Sequence, residues 1–301
     1  MVDGVAFVPP EVRNRLVVRF GPDVLGWCDQ LPALVDQLAA RWNLTVLAGG
    51  GGGTSRVFHC KQQGDGATVW LKLTPDLEIA SAESEALHAW ADTPWVVNLL
   101  AKDLAVGALL LEDVKPGVPM RQLTWSLPEV AALLRELRIP FPARGQGSVL
   151  QPLAHRVEFL FELTDRRLAG AGLREVIAPA VLDRARAAAL DLANDGTTGL
   201  VHGDLHPANV LSGPGRQLVA IDPRPALGDP DFDAVDWVMA GVEEFAELER
   251  RVEALAALVP GQTAGRILAW CRAVAVMDAA SRLCAGRDDA ETRFLVALAH
   301  D

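Results

Sequence analysis

The sequence predicts an α+β fold of two lobes, in which a small antiparallel sheet precedes a mainly helical half. The first observation is the stretch 44–111, where short apolar runs are separated by glycine-containing turns and one helical pattern. The second is the helical spacing that recurs from about residue 127 to the end, interrupted only at 199–222. The third is size: 301 residues, half of them apolar, suffice for two lobes with a buried core.

Residues 1–45 read as mainly helical, because Leu31, Leu34, Val35, Leu38 and Trp42 recur at helical spacing. Strands are expected at Leu44–Leu47, Arg56–Cys60 and Thr68–Leu73, with a glycine run after the first and a turn at Gln63–Gly66 after the second. Pro75 closes the third. A helix follows over Glu78–Trp90, then short strands at Val96–Leu100 and Ala108–Leu111. Asp113–Gly117 reads as a hinge, which puts an N-terminal lobe at 1–113 and a C-terminal lobe at 114–301. Beyond it, helices are expected at about 127–138, 152–168, 179–194, 243–258, 263–285 and 288–299. Asp288 with Glu291 gives the N-cap signal of the last one. Leu200–Val201, Val210–Leu211 and Leu218–Ile221 read as short strands around loops.

Composition narrows the function. A net charge of −11 argues against a nucleic-acid partner, which needs a basic face, and suits a cationic ligand or simply an acidic, soluble surface. The longest apolar helical candidate, Thr263–Cys284, is interrupted by Arg266, Arg272, Asp278 and Arg282, so no membrane span is expected. The first residues lack a basic region followed by an apolar stretch, and the four cysteines form no C-x-x-C pair. Both features fit a cytoplasmic protein with reduced thiols. No H-E-x-x-H spacing and no G-x-S-x-G elbow occurs, so zinc and serine hydrolases find no support.

The chemistry concentrates at His202–Asn209, HGDLHPAN. An Asp followed five residues later by an Asn, in a loop after an apolar segment, matches the catalytic loop of protein kinases. Phosphoryl transfer needs positioning and charge neutralisation more than covalent help. Asp204 can accept a hydrogen bond from a substrate hydroxyl and orient it. Asn209 offers an amide oxygen to Mg2+, which prefers hard oxygen ligands. Asp222, at the end of the strand Leu218–Ile221, is placed to bring the second metal oxygen. Asp229 reads as structural, bonding catalytic-loop N–H groups or capping the next helix; His206 reads as packing within the loop.

Upstream, Gly51, Gly52, Gly53 and Ser55 belong to a glycine run able to cradle phosphates with backbone N–H groups. The run lacks the G-K-[ST] ending of a P-loop. Lys72 lies mid-strand in an apolar run, where an unpaired ammonium is costly, so it wants an anion: a carboxylate or a nucleotide phosphate. Glu83 shares a helical face with Ile79, Leu87 and Trp90 and is the chosen partner, with Glu85 as the alternative.

The run His202–Val210, followed by Ala220–Pro223 and Gly228–Pro230, resembles the aminoglycoside phosphotransferase family, in particular its streptomycin 6-kinase and hydroxyurea phosphotransferase branch. Leu31–Leu34, Arg41 with Trp42, Glu83–Leu87 and Leu109–Glu112 resemble it too, so the likeness spans about 25–300. That resemblance implies a protein-kinase-like fold and ATP-dependent phosphorylation of a hydroxyl. It implies Asp204 as catalytic aspartate, Asn209 and Asp222 on magnesium, Lys72 and Glu83 fixing nucleotide phosphates, and the backbone of Glu112–Val114 meeting adenine. Five consecutive glycines, and Arg224–Pro225 after Ile-Asp-Pro, depart from the family pattern. The expected acceptor is a small, cationic hydroxyl compound, streptomycin first, and the expected state is monomer or homodimer. The rivals are a kinase of an amino sugar, choline-like alcohol or hydroxyurea, and a nucleotide-binding regulator without transfer activity. Glu243, Glu244 and Asp278 are the acidic candidates for an acceptor pocket.

Overall fold

Leading helices and a five-stranded sheet make up the first part of the chain in a computed structural model that describes residues 4–51, 53–139 and 148–300. The chain forms two compact units, Met1–Gly117 and Val118–Asp301. In the first, α1 (Pro10–Phe20) and α2 (Val24–Arg41) precede β1 (Leu44–Gly50), β2 (Arg56–Gln62) and β3 (Thr68–Leu73). Then come α3 (Leu77–Ala89), β4 (Leu99–Asp103) and β5 (Ala108–Glu112). The strand order is β1-β2-β3-β5-β4, antiparallel throughout. Asp76 starts α3 by accepting from the N–H groups of Glu78 (3.0 Å) and Ile79 (3.2 Å).

Alternation along the strands assigns the faces. Phe58 and Cys60 of β2, Val69, Leu71 and Leu73 of β3, and Ala108 and Leu110 of β5 share a buried cluster with Leu16 of α1 and Leu31, Val35 and Leu38 of α2. Lys72, one residue out of phase with that set, lies on the other face and meets α3 through Glu83. The sheet is therefore covered by helices on both faces.

Of the boundaries that differ from expectation, two have a clear physical reason. β1 runs on through Gly49 and Gly50, which pair with Phe58 and Val57. A Cβ at Gly49 would lie 2.4 Å from the Val5 carbonyl oxygen, so glycine there lets the N-terminal segment approach the strand. β4 starts at Leu99, not Val96, because Asn98 is tied to Glu112 while Val96 and Val97 fill the core as loop residues.

The second unit contains α4 (Leu127–Leu137), β6 (Gln151–Pro152), α5 (Leu153–Ala171), α6 (Pro179–Asn194), β7 (Gly199–Val201), β8 (Val210–Ser212), β9 (Leu218–Ala220) and β10 (Ala226–Gly228). It ends with α7 (Val235–Met239), α8 (Phe245–Leu258), α9 (Ala264–Cys284) and α10 (Ala290–His300). β8 pairs with β9, and β10 joins β6 and β7, so two small sheets frame the loop 202–209 inside a helical body. The expected α+β class holds. The cap of α10 is Asp289, not Asp288: its carboxylate accepts from the Thr292 N–H at 2.9 Å. Glu291 instead accepts from the Gly241 N–H and pairs with Arg282. Among the described residues, no helix is long and apolar enough to cross a membrane.

Candidate active site

In the first unit, β3 delivers Lys72 into a site only 4 % exposed, and Glu83 of α3 meets its ammonium at 2.6 and 2.5 Å. A buried lysine needs such a partner, and the helical stripe places Glu83 rather than Glu85 there. Gly51 follows β1 at φ +137°, and a Cβ on it would lie 2.5 Å from the Ser55 carbonyl oxygen, so the turn requires glycine. Gly53 is exposed and Ser55 is buried, while the Thr54 carbonyl accepts from the Thr74 hydroxyl. Gly52 lies outside the described residues.

Glu112 turns its carboxylate back onto Asn98, accepting from its N–H and its amide, and Val114 is buried. Between them stands Asp113, the first residue of the expected hinge, whose side-chain contacts the sequence did not indicate. It accepts from Trp70 Nε1 (2.9 Å) and Lys115 Nζ (2.6 Å) and lies 3.0 Å from His59 Nε2. Burial raises its pKa, but hydrogen bonds led by that from Lys115 outweigh this and hold the carboxyl well below the usual range. Trp70, two residues before Lys72 and on its face of β3, offers a half-buried ring beside this pinned segment.

In the second unit, the loop between β7 and β8 is held from beneath. Asp233 accepts from the backbone N–H groups of His202 (2.7 Å) and Gly203 (2.9 Å). Burial pushes the Asp233 carboxyl up to about 7, against the pull of those two bonds. Sequence reading offered this grip to Asp229. The structure gives it to Asp233 and uses Asp229 to cap the turn at Asp231 and to accept from Arg266 (2.6 Å) and Trp270 (2.7 Å). Sequence alone cannot choose among the Asp residues of GDPDFD, which differ only in where the short turn points them.

His202 is fully buried, and burial pushes it down to about 4, so its ring is neutral. Nδ1 accepts from the Asp204 N–H at 3.3 Å and Nε2 donates to the Ile221 carbonyl at 3.1 Å, which assigns the tautomer. Gly203 sits at φ +75°, and a Cβ there would lie 2.2 Å from the Arg224 carbonyl oxygen. The loop is thereby fixed to the segment that follows β9. The Ile221 N–H also donates to the Asn209 carbonyl at 2.9 Å.

Three of the expected residues come together on this frame. Asn209 Nδ2 donates to Asp204 Oδ2 at 3.0 Å, which commits the amide nitrogen and leaves Oδ1 as the free oxygen donor. Asp222 is half-buried with φ +55°, a backbone state uncommon outside glycine. Its carboxylate lies 3.3 Å from Arg224 Nη2, so the atypical Arg224 is its counter-ion. His206 stays within the loop, its Nδ1 accepting from the Ala208 N–H and its Nε2 3.9 Å from Asp204 Oδ2.

The donor set fits Mg2+. Asn209 and Asp222 supply hard oxygens. Among the described residues, no three His, Cys, Asp or Glu side chains gather as a metal site of their own. A few protein oxygens completed by water and substrate phosphate is how Mg2+ is commonly held.

Two further groups, Arg156 and Asp236, were not visible in sequence. Arg156, in the first turn of α5, donates to Asp204 Oδ1 at 3.0 Å and to the Gly203 carbonyl at 3.2 Å. Asp236 of α7 is raised by burial and by Asp204, against the pull of His206 and Arg156. Asp278 of α9 is raised by burial, then by Asp236 and Glu291. Of the acidic pocket candidates, Asp278 therefore stands in this charge network, whereas Glu243 and Glu244 are exposed.

Comparison with known proteins agrees with this layout. The chain is 30 % identical to a streptomycin 6-kinase of Streptomyces glaucescens, covering 87 % of this chain and 88 % of that one. It is 32 % identical to a hydroxyurea phosphotransferase of Kitasatospora aureofaciens, covering 89 % and 78 %. Among solved structures, the choline kinase LicA from Streptococcus pneumoniae superposes with a TM-score of 0.61 at 14 % identity, covering 89 % of this chain and 98 % of that one. A structure of LicA in complex with AMP gives a TM-score of 0.60 at 13 % identity, covering 89 % and 97 %. These last two speak to the fold, which is protein-kinase-like. The sequence pattern of the aminoglycoside/hydroxyurea antibiotic resistance kinases matches residues 41–286, spanning Lys72, Glu83, Asp204, Asn209 and Asp222, and the chain belongs to that family of small-molecule kinases.

Proposed function

We propose that the chain transfers the γ-phosphoryl group of ATP to a hydroxyl of a cationic small molecule, an aminoglycoside of the streptomycin type. The observation that carries this reading is the Asp204 carboxylate, held by Asn209 of the same loop, with Asp222 following the hairpin that this loop enters. In the proposed reaction the acceptor oxygen forms a bond to the γ-phosphorus, and the bond from that phosphorus to the β,γ-bridging oxygen breaks. ADP leaves with the electron pair, and the hydroxyl proton passes to Asp204 and on to solvent. Lys72, oriented by Glu83, would hold nucleotide phosphates, the N–H groups of Gly51, Gly52, Gly53 and Ser55 would cradle them, and the backbone of Glu112–Val114 with the Trp70 ring would receive adenine. Asn209 Oδ1 and the Asp222 carboxylate would hold Mg2+, which supplies charge neutralisation to the phosphates when bound. The loop geometry and family membership support turnover; the streptomycin 6-kinase relative supports the acceptor class.

Purified protein with Mg-ATP and a panel of streptomycin, hydroxyurea and choline, followed by ADP release and product mass, tests the reading. Phosphorylated streptomycin is the expected product. Product from another compound alone would move the acceptor, and ATP binding without ADP release across the panel would favour a regulator. The hydroxyurea relative makes a small neutral acceptor the second reading.

Asp236 and Asp278 favour a cationic acceptor and add a pH signature. Burial raises both carboxyls, and Asp236 raises Asp278 further by repulsion, so the two gain charge together over an interval that lies above the ordinary carboxylate range. A permanently cationic acceptor binds the ionised form. Its KM should therefore fall as pH rises through this interval, by roughly tenfold for one charged hydrogen bond gained. Asp278→Asn should flatten the change. A KM independent of pH in the unaltered chain would remove these two residues from the acceptor site.

A further inference from the structure

Arg156 and Asp204 are 48 residues apart, yet the Arg156 side chain makes a double contact with the loop that carries Asp204. One guanidinium edge spans two successive residues: Nε reaches the Gly203 carbonyl at 3.2 Å and Nη2 reaches Asp204 Oδ1 at 3.0 Å. The Arg156 side chain is only 15 % exposed. Asn209 holds the other carboxylate oxygen at 3.0 Å, so both oxygens of Asp204 are tethered and its plane is set relative to the loop backbone. The guanidinium also feels the charges of Asp222 and Arg224, and Asp236 feels Arg156 in turn. It thus lies among three carboxylates that would otherwise repel one another.

We propose that Arg156 is a positioning residue for phosphoryl transfer, fixing the direction in which Asp204 presents its remaining lone pairs to the acceptor hydroxyl. This rests on Asp204 being the catalytic carboxylate. Only a planar fork satisfies the carbonyl and the carboxylate together; lysine keeps the charge but is a single point donor. Asp204 released from one tether keeps the Asn209 contact but loses its aim, and misplacement by about an ångström can lower a rate on the order of 100-fold. Nucleotide binding uses other residues and should not follow.

The test compares the unaltered chain with Arg156→Ala and Arg156→Lys, using ADP release and phosphorylated product against nucleotide and acceptor concentration, with thermal midpoints alongside. Arg156→Ala should lower kcat roughly 10- to 100-fold with the ATP KM within about twofold, because a transition-state alignment is lost and uniform binding is not. Added guanidinium should restore part of that kcat, and Arg156→Lys should fall between. An Arg156→Ala kcat within about twofold of the unaltered chain would overturn the proposal. So would a loss that follows the folded fraction and that guanidinium leaves untouched. If Arg156→Ala does not fold, Arg156→Lys decides: full kcat overturns the role and a lowered kcat at constant ATP KM supports it. Turnover by the unaltered chain separates this outcome from failure of the phosphotransferase reading, in which no variant, altered or not, yields product.

Discussion

Asp204→Asn should lower turnover by about 10²- to 10⁴-fold, the range for a positioned proton acceptor, while the protein stays folded. The amide keeps the shape of the carboxylate but cannot take the hydroxyl proton, and it brings an N–H group toward donors already on Arg156 and Asn209. Asp204→Ala should lower turnover comparably and destabilise more, since it strips the mostly buried Arg156 guanidinium of its carboxylate. Because phosphoryl transfer depends mainly on alignment and charge, some turnover survives either change. Steady-state kcat with a folded control measures the effect. Near-normal turnover in Asp204→Asn would end the assignment of Asp204 as the proton acceptor.

Lys72→Met should act on stability and on nucleotide binding at once. Glu83 is fully buried, and removal of its cation strands a carboxylate in the core, a change that costs about 3–5 kcal/mol for a buried pair. Denaturant unfolding measures the first effect. The double variant Lys72→Met with Glu83→Leu should recover much of that stability, because an apolar pair of similar volume is often as stable as the ion pair it replaces. It should nevertheless remain deficient in ATP binding, measured by titration calorimetry. Recovery of binding together with stability would assign Lys72 a purely structural role.

The sequence carried much of the fold where the signal is local. β3 occupies Thr68–Leu73 and α6 occupies Pro179–Asn194, as periodicity and a proline at the helix start indicate. The Lys72–Glu83 pair followed from one rule, that a buried ammonium needs an anion, combined with helical phase. What escaped was short or long-range. β6, β10 and α7 have two, three and five residues, too few for any period to show. Glycines 49 and 50 read as a turn because nothing in the chain records that Val5 approaches the strand there.

The candidate site divides along the same line. Asp204 and Asn209 belong to one loop, so five residues of spacing already bring their side chains within hydrogen-bond reach, and Asp222 ends the next hairpin. Those positions are set by local geometry and are written in the sequence. Arg156 and Asp233, which grip the same loop from 48 and 31 residues away, and the half-buried Asp236 and Asp278, whose charges interact, meet their neighbours only when the second unit packs around that loop. Their contacts come from packing among distant segments, and burial shifts their charges by excluding water, an effect no local spacing encodes.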